Sequence, residues 1–181
     1  MPDPQTRPRL TPLPETDWDN RTRELLQGFP RKLNIFTTLA RHPGLLKRWL
    51  VFGGHVLRKN TLPARERELL ILRTGWLCQS DYEFHQHTAL GLSCGLTEAE
   101  VRRCTKDASA WSGNDATLIQ AADQLVERKR ISDETWAELQ TRFNERQLID
   151  IVFTVGQYTL ASMALNTLGV QIEDGSSGFP S

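Results

Sequence analysis

The sequence predicts an all-α fold, a single-domain helical bundle, on three observations. Apolar residues recur at the spacing of helix faces along most of the chain, within segments of high helix propensity. Residues that favour helix N-caps stand where these segments begin. The 181 residues, 39% of them hydrophobic, are enough for one compact domain with its own core and fewer than two domains usually need.

The helices can be placed in chain order from these signals. The expected ranges are 17–27, 32–40, 44–59, 64–77, 81–93, 98–105, 115–128, 133–142 and 145–168. The clearest starts are Thr97, with Glu100 three residues later, Ser132, and Asn144. Gly95 supplies a left-handed stop after the fifth helix. The last helix is apolar nearly all round, so we expect it to be central and packed against several others.

The two ends of the chain differ in composition from the helical part. Residues 1–14 are polar and rich in proline, and the end of the chain is rich in glycine and serine. We therefore expect a flexible arm over residues 1–14 and a flexible tail over residues 173–181, either free or wrapped on a neighbour. The folded domain is then expected to span residues 15–172.

Charge and hydropathy bear on partners and location. Lys plus Arg and Asp plus Glu both number 22, so no overall field favours nucleic acid or an anionic membrane surface. No apolar run is expected to reach the length of a transmembrane helix, and the proline-rich start lacks the apolar core of a signal peptide. The odd number of three cysteines fits a reducing compartment. We therefore expect a cytoplasmic protein with no membrane or nucleic-acid partner.

Three titratable residues are expected to converge in the middle of the chain. Ser80 and Glu83 have the capping-box spacing, in which each side chain bonds the other's backbone N–H, so the fifth helix should begin at Ser80. Along it, Glu83 and His87 are one turn apart on a mostly apolar face. On the fourth helix, Glu68 shares a face with Ile71 and should also point inward.

The spacing of these residues resembles the active-site pattern of the alkylhydroperoxidase D and carboxymuconolactone decarboxylase superfamily. That pattern has a glutamate, a Cys-x-x-Cys pair beginning twelve residues later, and a histidine four residues after the second cysteine. This chain has Glu68, Ser80, Glu83 and His87 at those four positions, so both cysteines are missing. The resemblance covers residues 15–172 and is to the decarboxylase-like branch. It is also carried by the segments 33–36, 39–43, 65–69 and 95–100.

The resemblance implies a bundle of the alkylhydroperoxidase D-like type, with a small-molecule substrate, no cofactor and no metal. It also implies a homo-oligomer, a trimer or hexamer with the site near a subunit boundary. Large apolar residues are enriched where subunits meet, and candidates for such a boundary are Trp49, Val51, Phe52, Trp76 and Trp111. The alternative is that all five are core residues.

Because the cysteines are missing, acid–base chemistry is the leading hypothesis. The resemblance implies a lyase or isomerase similar to carboxymuconolactone decarboxylase, in aromatic compound catabolism, with a small carboxylated lactone or conjugated carbonyl compound as substrate. His87 would be the general acid and base, because imidazole titrates near neutrality. Glu83 and Glu68 would hold the ring tautomer or relay the proton.

Five further residues are assigned to substrate binding from residue type and position. Tyr82 and Tyr158 can donate a hydrogen bond to a developing oxyanion. Arg41 or Arg73 can bind a carboxylate with two parallel hydrogen bonds. Ser80 stands at the start of the motif helix.

Two other functional classes remain open. A thiol-dependent peroxidase of the alkylhydroperoxidase type would have to use Cys78 as a relocated redox thiol, whereas a lone cysteine at a helix end is more often a small buried hydrophobe. A small-molecule-binding protein without catalysis would use the same residues structurally. Glu83 would then cap a helix, Glu68 would pair with Arg65, and His87 would be a core histidine.

A metal site is not expected, although the motif helix carries candidate ligands. Glu83, His85 and His87 supply three possible ligands within five residues. On a helix, however, the two histidines point about 200° apart and cannot meet at one ion. A histidine from another helix, His55 or His42, would be needed to complete the site.

Overall fold

The computed structural model describes residues 8–29, 32–173 and 178–180. Within these residues the chain forms nine α-helices and no strand, which confirms the predicted all-α fold. In chain order the helices are α1 Asn20–Leu26, α2 Asn34–Leu39, α3 Pro43–Arg58, α4 Ala64–Leu77, α5 Asp81–Ser93, α6 Glu98–Arg103, α7 Gly113–Arg128, α8 Asp133–Gln140 and α9 Glu145–Leu168. Short 3-10 turns occur at Glu15–Asp17 and Ala108–Ala110.

The predicted ranges of the fourth, fifth and last helices agree with α4, α5 and α9 at both ends. The predicted caps are also formed, since Thr97 and Asn144 make capping boxes and Ser132 accepts a bond from the backbone of α8. The first helix begins later than predicted, at Asn20. The Asp19 carboxylate caps it there by accepting a bond from a backbone N–H of its first turn, at 2.7 Å.

The core is built around α4, which packs against α5, α7 and α9. Its side chains from Leu69 to Leu72 are fully buried. The central position predicted for α9 is confirmed, since it also contacts α3, α5 and α7. One face of α9 is nevertheless exposed, with the large apolar residues Ile149, Val152, Phe153, Leu160 and Met163.

By length and composition, α9 is apolar enough to cross a membrane, a property that the sequence interpretation did not assign to it. Half of its most apolar 18-residue window is buried inside the protein, as in the core helix of a bundle. No other helix within the described residues has both the length and the hydropathy for a membrane span.

Two glycines set the close approach of α4 and α5. A Cβ on Gly75 would lie 3.3 Å from the backbone nitrogen of Phe84, and a Cβ on Gly91 would lie 3.2 Å from a methyl group of Leu72 on α4. Because neither glycine has a side chain, the two backbones can pack closely. Glu68 on α4 is thereby brought against α5.

Parts of the predicted arm and tail contact the helical body. The backbone N–H of Leu10 donates to the carbonyl of Leu168 at 3.1 Å. Phe179 packs edge-on against Trp76, with ring centroids 5.0 Å apart. Residues 1–7 and much of the tail lie outside the described residues.

Candidate active site

The residues predicted to converge, Glu68, Glu83 and His87, do meet between α4 and α5. His87 Nδ1 lies 2.7 Å from Glu68 Oε2. On the other side of the ring, His87 Nε2 lies 3.2 Å from Glu83 Oε1. Glu68 Oε1 accepts two hydrogen bonds from Arg67, at 3.0 and 2.8 Å. The four side chains therefore form a row of alternating charge, Arg67, Glu68, His87 and Glu83, which we call the charge row.

The row lies almost entirely out of solvent, and its pKa values reflect its pairing. Burial lowers the pKa of His87, but the Glu68 and Glu83 carboxylates outweigh it and raise the value to about 9. Burial raises the pKa of Glu68, but His87 and Arg67 outweigh it and the net pKa is lowered. At neutral pH His87 is therefore an imidazolium with a proton on each nitrogen. In this charge state the two carboxylates hold the ring by accepting from both nitrogens, so of the two expected roles proton relay is the one that applies.

A cavity of about 360 Å³ opens beside the outer end of the charge row. Glu83 and His87 line it, whereas Glu68 lies behind His87 and is inaccessible to solvent. Much of the remaining wall is apolar and aromatic and comes from α2, α3, α5 and α9; it includes Phe36, Trp49, Leu50, Leu57 and Ala161. Such a wall suits a small molecule with a flat apolar part.

Both predicted tyrosines line the cavity, but their hydroxyl groups differ in availability. The Tyr82 hydroxyl donates to Glu173 at 2.8 Å and accepts from the backbone of Ile35 at 3.3 Å. The Tyr158 ring stands edge-on to His87, with centroids 4.8 Å apart, and its hydroxyl has no hydrogen-bond partner among the described residues. Burial and the two site carboxylates raise the pKa of Tyr158 well above 10, so its hydroxyl stays protonated and can donate.

The predicted capping box at Ser80 is not formed, although α5 does follow Ser80. The Ser80 hydroxyl is buried without a partner within the described residues and does not line the cavity. The Ser80 backbone N–H donates to the Gly75 carbonyl at 2.9 Å. Glu83 contacts His87 instead of turning back to Ser80. The assignment of Ser80 to substrate binding is therefore not supported by its position.

Arg73 and Arg41 lie away from the cavity, so the expectation that they bind a substrate carboxylate is wrong for both. Arg73 is buried, with Nε and Nη2 bound to the Asp123 carboxylate at 2.5 and 2.9 Å. Its third nitrogen donates to two backbone carbonyls that follow α6. Arg41 binds the carbonyl and hydroxyl of Thr11 on the surface, at 3.0 and 3.2 Å.

Three site residues had no role in the sequence interpretation. Arg67 completes the charge row, whereas Arg65, the partner of Glu68 in the binding-protein alternative, pairs with acids of α6 and α7. Arg58 and Gln157 line the cavity. For Arg58 and Gln157, the sequence does contain a signal, the pair Gly53 and Gly54 inside α3. Adjacent glycines in a helix interior indicate that another group packs closely against the helix backbone.

The cysteines do not form a redox pair at the site. Cys78, Cys94 and Cys104 are all free thiols. Burial raises the pKa of Cys78, the one nearest the motif, which keeps it in the unreactive thiol form. Among the described residues, no three His, Cys, Asp or Glu side chains are grouped so as to hold a metal ion.

One family model matches part of the chain. The model of the carboxymuconolactone decarboxylase family matches residues 43–127, from the start of α3 almost to the end of α7. No curated protein sequence matches the chain significantly.

Several solved structures have the same fold. An alkylhydroperoxidase AhpD core protein from Ralstonia eutropha JMP134, described as peroxidase-related, aligns with TM-score 0.74 and 18% identity over 90% of this chain and 87% of its own. A peroxidase-related protein from Silicibacter sp. TM1040 aligns with TM-score 0.74 and 14% identity over 98% and 97%. The debrominase Bmp8 in complex with 2,3,4-tribromopyrrole aligns with TM-score 0.69 and 14% identity over 91% of each chain. The family match over residues 43–127 and the shared fold together support the resemblance to the carboxymuconolactone decarboxylase and alkylhydroperoxidase D-like superfamily.

Proposed function

We propose that the protein is a cofactor-independent acid–base enzyme, a lyase or isomerase resembling carboxymuconolactone decarboxylase. Its substrate would be a small carboxylated lactone or conjugated carbonyl compound. The observation that carries the proposal is the position of Glu83, which contacts His87 and also lines the cavity. A proton can thus pass between the buried imidazolium and a bound molecule through one carboxylate.

The chemistry follows from the order of the groups in the charge row. Loss of CO2 from such a substrate leaves the bonding electron pair on a carbon conjugated with a carbonyl group. Glu83 takes the proton from Nε2 of His87 and passes it to that carbon, and solvent later returns a proton to the imidazole. Isomerisation uses the same carboxylate first as base and then as acid. Glu68 and Arg67 stay ionised and hold the ring in place.

The Tyr158 hydroxyl is the candidate donor to the developing oxyanion. It lines the cavity next to His87 and is free of other partners among the described residues. A neutral donor of this kind stabilises negative charge on a carbonyl oxygen in the transition state. Tyr82, whose hydroxyl is already bonded to Glu173, would shape the wall instead.

A thiol-dependent oxidoreductase is the main alternative, since peroxidase-related proteins and a debrominase share the fold. The residues at the motif oppose it, because Ser80 and Glu83 cannot form or resolve a disulfide. The tribromopyrrole in the debrominase complex does support a flat, ring-like ligand for this kind of cavity. A member that binds such a molecule without turning it over is the remaining alternative.

We also propose a cytoplasmic homo-oligomer, with the partner a second copy of this chain. The support is an apolar surface on α3 and α9 in which Phe52 and Phe153 meet edge-on, with ring centroids 6.2 Å apart. Val51, next to Phe52 in α3, is 72% exposed. Exposed large apolar side chains of this kind on an isolated subunit are typical of an interface.

The experiment is a proton-transfer assay on a panel of compounds from the proposed substrate class. Conjugated carbonyl acids and lactones are incubated with the protein in D2O, and NMR records deuterium at carbon and any loss of CO2. We expect wild type to catalyse exchange or decarboxylation of part of the panel, and His87→Ala to be slower by about two orders of magnitude or more. Full activity in His87→Ala would remove His87 from the mechanism, and binding without exchange would indicate a non-catalytic member.

A further inference from the structure

The cavity has a cationic side chain without an ion-pair partner. Arg58, the last residue of α3, is the one arginine or lysine among the described residues that line the cavity. Within the described residues its guanidinium makes no hydrogen bond or salt bridge, whereas Arg65, Arg67 and Arg73 are all paired with carboxylates.

The position of the Arg58 guanidinium depends on a glycine one turn earlier. The side chain folds back along α3, and one of its terminal nitrogens lies 2.5 Å from where a Cβ on Gly54 would be. Any other residue at position 54 would take up part of that space. Arg58 is close enough to Tyr158 for its charge to oppose, in part, the raised pKa of that hydroxyl. Arg58 is an exposed residue, and its guanidinium therefore lies where solvent and the cavity meet.

A second polar side chain that lines the cavity also has an atom without a partner among the described residues. Gln157 of α9 is 4% exposed, and its Oε1 is buried without a partner among the described residues. Its Nε2 packs against the backbone of Gly53, 3.4 Å from the position that a Cβ on Gly53 would take. A buried amide that lacks a partner costs free energy. A half-turn of the amide exchanges its oxygen and nitrogen, and the NH2 group then takes this position and can donate to a ligand oxygen.

We propose that Arg58 and Gln157 form the carboxylate-binding end of this cavity, for a planar unsaturated or aromatic monocarboxylate whose ring lies against the aromatic wall. A guanidinium and an amide offer parallel N–H donors that fit the two oxygens of a carboxylate. The Glu83 carboxylate repels the carboxylate of a ligand, so the favourable place for the ligand carboxylate is beside Arg58. The inference rests on the proposed function and deepens it, since it names the substrate group that is recognised. It favours isomerisation, in which the bound carboxylate is kept, over loss of CO2 from that group.

The test measures binding of benzoate and of its neutral analogue benzamide by isothermal titration calorimetry. Neither compound can undergo the proposed reaction, so the result is independent of turnover. We expect wild type to bind benzoate about tenfold or more tightly than benzamide, as for a hydrogen-bonded charge pair. Arg58→Met should abolish that preference, and Arg58→Lys should keep part of it. The matched control is Arg48→Met, on the same helix but outside the cavity, which should change nothing.

Two further variants test the arrangement itself. Gly54→Ala should weaken benzoate several-fold and leave benzamide unchanged, because the added methyl group displaces only the guanidinium. Gln157→Leu should weaken benzoate while thermal unfolding stays near that of wild type. Equal binding of benzoate and benzamide by wild type, or an unchanged preference in Arg58→Met, would overturn the inference. If benzoate recognition depends on Arg58 but no compound is turned over, the binding inference stands and the proposed enzymatic function falls.

Discussion

Glu83 Oε1 lies 3.2 Å from Nε2 of His87, on the opposite side of the imidazole from Glu68, which contacts Nδ1 at 2.7 Å. Both ring nitrogens are therefore occupied by protein carboxylates. A substrate can exchange a proton with His87 only through Glu83 or by displacing it. In the proposed function, the residue in place of the second motif cysteine is thus the one that exchanges a proton with the substrate.

Replacing Glu83 by glutamine tests this assignment. Glu83→Gln keeps the shape of the side chain but cannot carry a proton, so we expect the exchange rate in the D2O assay to fall by about 10²- to 10⁴-fold. Benzoate affinity should be retained or rise, because a negative charge is lost from the cavity. The control is Glu98→Gln, an exposed surface acid on α6, which should match wild type. Undiminished exchange in Glu83→Gln would contradict the relay.

The raised pKa of His87 predicts a loss of stability in mild alkali. Its value is 6.5 in a reference state and about 9 in the folded protein, so the stabilisation is complete below about pH 6.5 and is lost as pH rises through about 9. At about 1.4 kcal/mol for each pH unit, the full effect is on the order of 3 kcal/mol. Urea unfolding of wild type at pH 6 and pH 9.5 measures it.

The comparison variant for the pH experiment is His87→Gln, which has no ionisable group there. Its free energy of unfolding should fall less between the two pH values than that of wild type. His55→Gln, on the exposed face of α3, should retain the wild-type slope. If the free energy of unfolding falls equally between the two pH values in wild type and in His87→Gln, His87 is neutral in the folded protein at pH 7.

The sequence predicted most reliably what depends on nearby residues. The spacing of Glu83 and His87 on one helix gave their contact, and strong periodicity gave the limits of α4, α5 and α9. The capping box predicted at Ser80 does not form because the Ser80 backbone N–H and the His87 ring both lie within reach of the Glu83 carboxylate. The carboxylate contacts His87, one turn further along the helix. A local pattern does not show which of two possible contacts forms.

The arginines show why substrate-binding residues were harder to predict. Arg73 is bound by Asp123, fifty residues away in sequence, and only the packing of α4 on α7 reveals that pairing. Arg58 is available because no acid packs beside it within the described residues. Residue type alone cannot distinguish a buried structural arginine from one that faces a cavity.

Peroxide should not consume the thiols of the wild-type protein. Cys78 is half-buried, and burial raises its pKa as it raises that of Cys104 to about 12. Thiol titration after treatment with a hydroperoxide should show no loss beyond background. The double variant Ser80→Cys with Glu83→Cys restores the motif spacing and serves as the positive comparison. Stoichiometric loss of a thiol in wild type would instead support the peroxidase alternative.

Arg73 should matter for stability and not for ligand binding. Arg73→Met leaves Asp123 without its partner and two backbone carbonyls without a donor, so we expect a loss of roughly 3–5 kcal/mol in the free energy of unfolding. Benzoate affinity should be unchanged at a temperature where the variant is folded. A specific loss of benzoate binding with wild-type stability would return Arg73 to the substrate site.

A lysine on the exposed face of α9 should separate the subunits of the proposed oligomer. Phe153 is 51% exposed in the single chain, so Phe153→Lys has little effect on the fold of one subunit, whereas in an interface it would bury an unpaired charge. Light scattering after size exclusion should therefore show an oligomer for wild type and a smaller species for the variant. Glu134→Lys, on exposed α8, controls for the added charge and should leave the assembly intact. A monomeric wild type at every concentration would exclude self-association and leave the apolar face of α3 and α9 without that explanation.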